Sequence, residues 1–80
     1  MRITSQDETV DVNYGMCAIE AIRTNEDTWN LVTVPVAGNV LLLGCFPTKA
    51  AAAQELARIY ESWHRGCDNH QIRKAESYEL

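Results

Sequence analysis

Three side chains near the end of the chain carry the most tempting chemistry. His64, Cys67 and His70 follow one another at intervals of three. Imidazole and thiolate are ligands that zinc favours. On an unbroken helix, residues three apart lie about 60° apart, so the three would share one side. Gly66 interrupts that helix, and no fourth ligand stands close by. Cys67 with His64 or His70 is also a pair from which a thiol nucleophile can be assembled. That reading needs an oriented base and an oxyanion donor, and neither is visible. Polar residues closing a helix explain the same pattern without chemistry, and a histidine is favoured there by the helix dipole. The expectation is a non-enzymatic protein with no catalytic residue, no metal and no cofactor.

The remaining constellations point to binding. Glu26 and Asp27 are adjacent carboxylates, but they fall in a turn and keep it solvated. Gly38 and Gly44 are too far apart for a phosphate loop, and a strand follows them rather than a helix. Arg23 and Trp29 flank the turn at 24–27, and an exposed Trp beside an Arg can stack a base or grip a partner. A four-residue loop sends the two to opposite faces, which favours a Trp29 packed in the core or at a protomer interface. Seven Lys and Arg stand against eleven Asp and Glu, net −4. Duplex nucleic acid is therefore not expected as a partner, because polyanion affinity comes from clustered cations. A small nucleotide needs only a few basic groups. It would recruit Arg23, Arg58 or Arg65 from neighbouring subunits, and with Trp29 these are the candidate ligand- or partner-binding residues.

Eighty residues make one domain, 46% hydrophobic. A chain this short buries only about 60% of its unfolded surface, which leaves a lone monomer thin stability. Strands are expected at 2–5, 10–14, 17–23, 28–34 and 40–46, from period-two alternation and β-branched or aromatic content between polar turns. A helix is expected at 49–65, capped by Thr48 behind Pro47 and ended by Gly66. Its apolar stripe reads Ala52, Leu56, Ile59 and Trp63. Short connections imply hairpins. The expected fold is α+β: an antiparallel meander of about five short strands, with one C-terminal helix on one face and Gly44 easing its approach. The domain would span 1–66, with 67–80 a polar tail, weakly ordered or ordered only against a partner. Cys17, Cys45 and Cys67 are an odd number at wide spacings, and no secretory signal opens the chain, so a cytoplasmic protein with reduced thiols is expected. Cys17 and Cys45 sit among apolar neighbours and read as small core residues. The apolar run at 40–43 is far short of a membrane span of about 20 residues.

The opening Met1-Arg2-Ile3-Thr4-Ser5-Gln6-Asp7, then Thr9-Val10-Asp11-Val12 and Tyr14, resembles a set of small proteins of Gram-positive bacteria and their phages. Those begin with an "MRI-SQDG" stretch and end in a "YSTEEKA"-type helix. Leu43-Gly44 and Phe46-Pro47-Thr48-Lys49-Ala50-Ala51-Ala52 are the counterpart here. The resemblance spans roughly 1–63. It departs at Glu8, where a turn glycine is usual, at Asn13 in place of a proline, and after Gly66. It implies a fold and a phage or prophage setting, and it transfers no functional residue. In that setting a small oligomeric protein can act against host defence, by sequestering a nucleotide signal or binding a host protein.

The expected strands are apolar on both faces. Cys17, Ile19 and Ala21 oppose Ala18 and Ile22; Trp29 and Leu31 oppose Val32 and Val34; Val40, Leu42 and Phe46 oppose Leu41, Leu43 and Cys45. One helix covers one face. The other must meet something, and the cheapest supplier is a second copy, so the leading expectation is a homo-oligomeric small binding protein. Trp63, at the end of the stripe, is expected to be buried enough that Trp63→Ala costs about 3–5 kcal/mol.

Overall fold

The computed structural model describes residues 1–35 and 38–74. The fold is α+β, with six strands, one helix and a single 3₁₀ turn at Tyr14–Met16 among the described residues. The strands are β1 (Arg2–Thr4), β2 (Asp11–Asn13), β3 (Cys17–Arg23), β4 (Trp29–Pro35), β5 (Leu42–Phe46) and, after the helix α1 (Lys49–His64), β6 (Asn69–Gln71). They form two three-stranded sheets, ordered β2-β1-β6 and β3-β4-β5. The single five-stranded meander expected from short connections is therefore divided. The β3-β4-β5 half is an antiparallel meander. The other half closes only when the chain returns after α1, and β6 lies parallel to β1 with Ile3 opposite His70.

That return overturns the expected boundary at residue 66. Ile72 is fully buried and its amide donates to the Thr4 carbonyl, while the Arg2 amide donates to the Asp68 carbonyl. A three-residue strand buys little alone, so β6 is held by its apolar neighbour Ile72 and its buried His70 as much as by its ladder. Residues 75–80 of the expected tail, and residues 36 and 37 of the expected turn at 35–39, lie outside the described residues.

The Ser5-Gln6-Asp7 stretch works as a clasp. The Ser5 hydroxyl accepts from the Thr9 and Val10 amides, and the Asp7 carboxylate accepts from the Ser5 and Thr9 hydroxyls and the Thr9 amide. Those donors, the Thr9 hydroxyl first, hold the Asp7 carboxyl below its usual range. Gln6 joins the sheets: its amide donates to the Leu43 carbonyl at 2.7 Å, its Oε1 accepts from the Cys45 amide, and its Nε2 donates to the Arg73 carbonyl.

A bulge in β5 breaks the expected alternation. Leu31 pairs with Gly44 and Val32 with Leu42, so Leu43 is the extra residue and turns into the core. Leu42 stays exposed although Phe46, expected on the same face, is buried. Gly44 eases a close approach, but not by the helix. A Cβ there would stand 3.2–3.3 Å from Phe46, Gln6 and Ile72. Cys45 is exposed rather than a core residue, and Cys17 is half-buried.

The core gathers Ile3, Leu31, Leu43, Phe46, Ala51, Ala52, Ile59 and Ile72 between α1 and the two sheets. Thr48 caps α1 as expected, accepting from the Ala51 amide, and Gly66 takes the left-handed conformation with φ 74°. The buried side of the helix is not the expected stripe. Ala52 and Ile59 are inside, but Glu55 joins them and Trp63 remains 47% exposed. At about 100° per residue the helix is rotated by roughly 50° from the apolar reading. Trp63 leans on Tyr14 instead, ring centroids 5.2 Å apart.

Candidate functional site: a buried carboxylate, an imidazole and an arginine-lined cleft

The rotation of α1 brings together groups that are scattered in the sequence. Glu55 and Ser62 are seven residues apart and so share one helical face, two turns from each other. β6 runs along that side, and strand pairing with β1 places His70 between them. The Ser62 hydroxyl lies 2.8 Å from His70 Nδ1, and His70 Nε2 lies 2.7 Å from Glu55 Oε2. Glu55 is wholly buried and His70 is 5% exposed.

A buried carboxylate requires compensation. Arg58, one turn along α1, supplies it: Nη1 donates to both Glu55 oxygens, at 2.8 and 2.9 Å. An ionised carboxylate can only accept, so His70 Nε2 carries a proton and donates it to Glu55. When the imidazole is neutral, Nδ1 is then the acceptor and the Ser62 hydroxyl donates to it. The result is a directed chain from hydroxyl to imidazole to carboxylate, with the guanidinium donating to the same carboxylate from the other side.

Ser62 is only partly buried, and it opens into a cleft of about 370 Å³ lined by Arg58, Glu61, Ser62, Arg65 and Arg73. That volume suits a small ligand. Arg65 is held by Glu61, one turn back on the helix. Among the described residues no carboxylate pairs with Arg73. With three arginines beside Ser62 in its lining, the cleft is suited to an anion, and phosphate geometry matches the forked donors of arginine.

Of the residues singled out by type and spacing, Arg58 and Arg65 meet here, within one chain rather than between subunits. Arg23 does not. It pairs with Asp27 at the end of the β3–β4 hairpin. Trp29 is half-buried against the core, with the Lys49 ammonium 5.6 Å from its ring centroid. His64, Cys67 and His70 do not converge. The His64 ring meets Tyr60 edge-on at 4.4 Å, Cys67 is exposed, and His70 is buried behind Ser62. No group of three potential metal ligands occurs among the described residues.

Glu55, Ser62 and Arg73 escaped the sequence reading. The one available signal was the i, i+3, i+7, i+10 series Ala52, Glu55, Ile59, Ser62, which alternates apolar with polar. Hydrophobicity alone ranks it below the fully apolar stripe. No helix among the described residues is long and apolar enough to cross a membrane. No family model, no curated protein and no solved structure matches the chain.

Proposed function

We propose that the protein is a homo-oligomeric binding protein that self-associates through the outer face of β3-β4-β5. The observation that carries this reading is an uncovered apolar face. Ile22, Val34 and Leu42 point away from α1 and are 44%, 39% and 53% exposed, with Val40 and Leu41 beside them. Glu20 is the carboxylate of that face, placed on the edge strand opposite Val32. Exposed apolar side chains gathered on one sheet face are costly to leave in water, and a second copy supplies a matching surface. Light scattering at micromolar concentration tests it. A complex of two or more copies is expected, reduced to monomer by Leu42→Lys. A stable 9 kDa wild-type monomer overturns it.

A second reading is supported by the arginine-lined cleft: each protomer binds a small anion through Arg58, Arg65 and Arg73. The resemblance to phage proteins favours a nucleotide as that anion, a host cytoplasm as the place, and interference with host defence as the role. Calorimetry with inorganic phosphate, and thermal shift against linear and cyclic nucleotides, test it. Binding weakened by Arg73→Ala supports it, and no heat and no shift with any of them overturn it.

A further inference from the structure

We propose that Ser62 is a nucleophile and that the arginine-lined cleft takes phosphate monoesters, an activity beyond the binding reading that rests on the same anion cleft. A serine is inert until a base takes its proton and a third group orients that base. Both are present. Ser62 Oγ is 2.8 Å from His70 Nδ1, and His70 Nε2 is 2.7 Å from Glu55 Oε2. The imidazole has little freedom, because Ile3 lies opposite His70 in the ladder and the ring is enclosed. Glu55 is fixed by Arg58 on both oxygens. The chain is closed to solvent on the carboxylate side and open on the hydroxyl side, the polarity a nucleophile requires.

The cleft supplies what phosphoryl transfer needs besides a nucleophile, namely cations around the three non-bridging oxygens. Arg73 is without a carboxylate partner among the described residues, and Arg58 offers Nε and Nη2 beyond the Nη1 engaged by Glu55. Glu61 at the rim, paired with Arg65, lowers the local charge and disfavours polyanions.

In the first step the Ser62 Oγ–phosphorus bond forms as the bond from phosphorus to the leaving alcohol oxygen breaks. The hydroxyl proton passes to His70 Nδ1 and on to that oxygen, releasing a neutral alcohol. In the second step water attacks the phosphoserine with His70 as base. The phosphorus–Oγ bond breaks, Oγ regains a proton from His70, and inorganic phosphate leaves.

The test has two arms. In the first, the full chain is treated with an uncharged fluorophosphonate, which reports the nucleophile without using the anion cleft, and the adduct is mapped by mass spectrometry. Adduct formation at Ser62 roughly 100-fold faster than at Ser5 and Ser77 is expected. Ser62→Ala should abolish that adduct in a chain that circular dichroism shows to be folded at the assay temperature. Labelling at Ser62 no faster than at the other two serines overturns the proposal without any variant. In the second arm, p-nitrophenyl phosphate hydrolysis is followed with inorganic phosphate as competitor. Turnover lost in Ser62→Ala and weakened in KM by Arg73→Ala supports the proposal. Phosphate bound with Ser62 unreactive overturns the nucleophile and leaves the binding reading standing; a reactive Ser62 with no phosphate binding overturns the substrate class and the binding reading together.

Discussion

Glu55 sits at the crossing of helix, strand and cleft, and its removal is the sharpest probe of the structure. Glu55→Ala leaves the enclosed His70 Nε2 without its acceptor 2.7 Å away, and an unsatisfied buried donor costs about 1–3 kcal/mol. Arg58 loses both of its contacts, but its side chain is 35% exposed and can turn to water, which limits that part. The void left by the side chain adds about 1–2 kcal/mol. The sum is about 3 kcal/mol, within the range for breaking a buried ionic group from one side. A chain of this length holds only about 4–12 kcal/mol in all. Glu55→Gln keeps an oxygen for His70 and loses the charge facing Arg58, so it should fall about halfway. Urea unfolding at pH 7 measures both. With a slope near 1 kcal/mol per molar for so short a chain, the midpoint should drop by roughly 3 M for Glu55→Ala. A midpoint within roughly 0.5 M of the parent would refute the reasoning, because Glu55 would then be solvated and the hydroxyl–imidazole–carboxylate chain absent.

Three further outcomes follow from particular residues. Trp63→Ala should cost about 2 kcal/mol in the same urea assay rather than the 3–5 kcal/mol of a fully buried Trp, because half of the ring is in water and Tyr14 is its main support. Glu8→Gly should stabilise by about 0.5–1 kcal/mol in thermal unfolding, since Glu8 holds φ at 64° where a side chain is strained; Asp27, at φ 61°, gains less because Asp tolerates that region and ties down Arg23. With iodoacetamide, Cys45 and Cys67 should react first and Cys17 last. Burial pushes the Cys17 thiol up, so it stays protonated to higher pH and its lag should persist there.

Local chemistry made part of this molecule legible in advance. The limits of β3 and the cap and end of α1 could be read because each depends on neighbours in sequence: alternation for a strand, a hydroxyl before a helix, a glycine after it. The two-sided apolar pattern was equally readable, and the exposed Ile22, Val34 and Leu42 follow from it. So was the "SQD" stretch, although its role was not: Ser5, Gln6 and Asp7 each satisfy backbone groups, and Gln6 clips the sheets together.

What tertiary structure alone decided is the orientation of α1. Counting apolar residues turns Leu56 and Trp63 inward, because hydrophobicity treats Glu55 and Ser62 as surface. That ranking holds only while those polar groups have no partners inside. His70 becomes a partner through a parallel pairing between the third and the seventieth residues, a contact that no local periodicity encodes. Once β6 is in place the polar face is satisfied, the helix rotates by about 50°, and Trp63 is left half in water. The sequence by itself determined where the helix is; the distant strand beside it determined which side is buried, and with that the grouping of Glu55, Ser62 and His70.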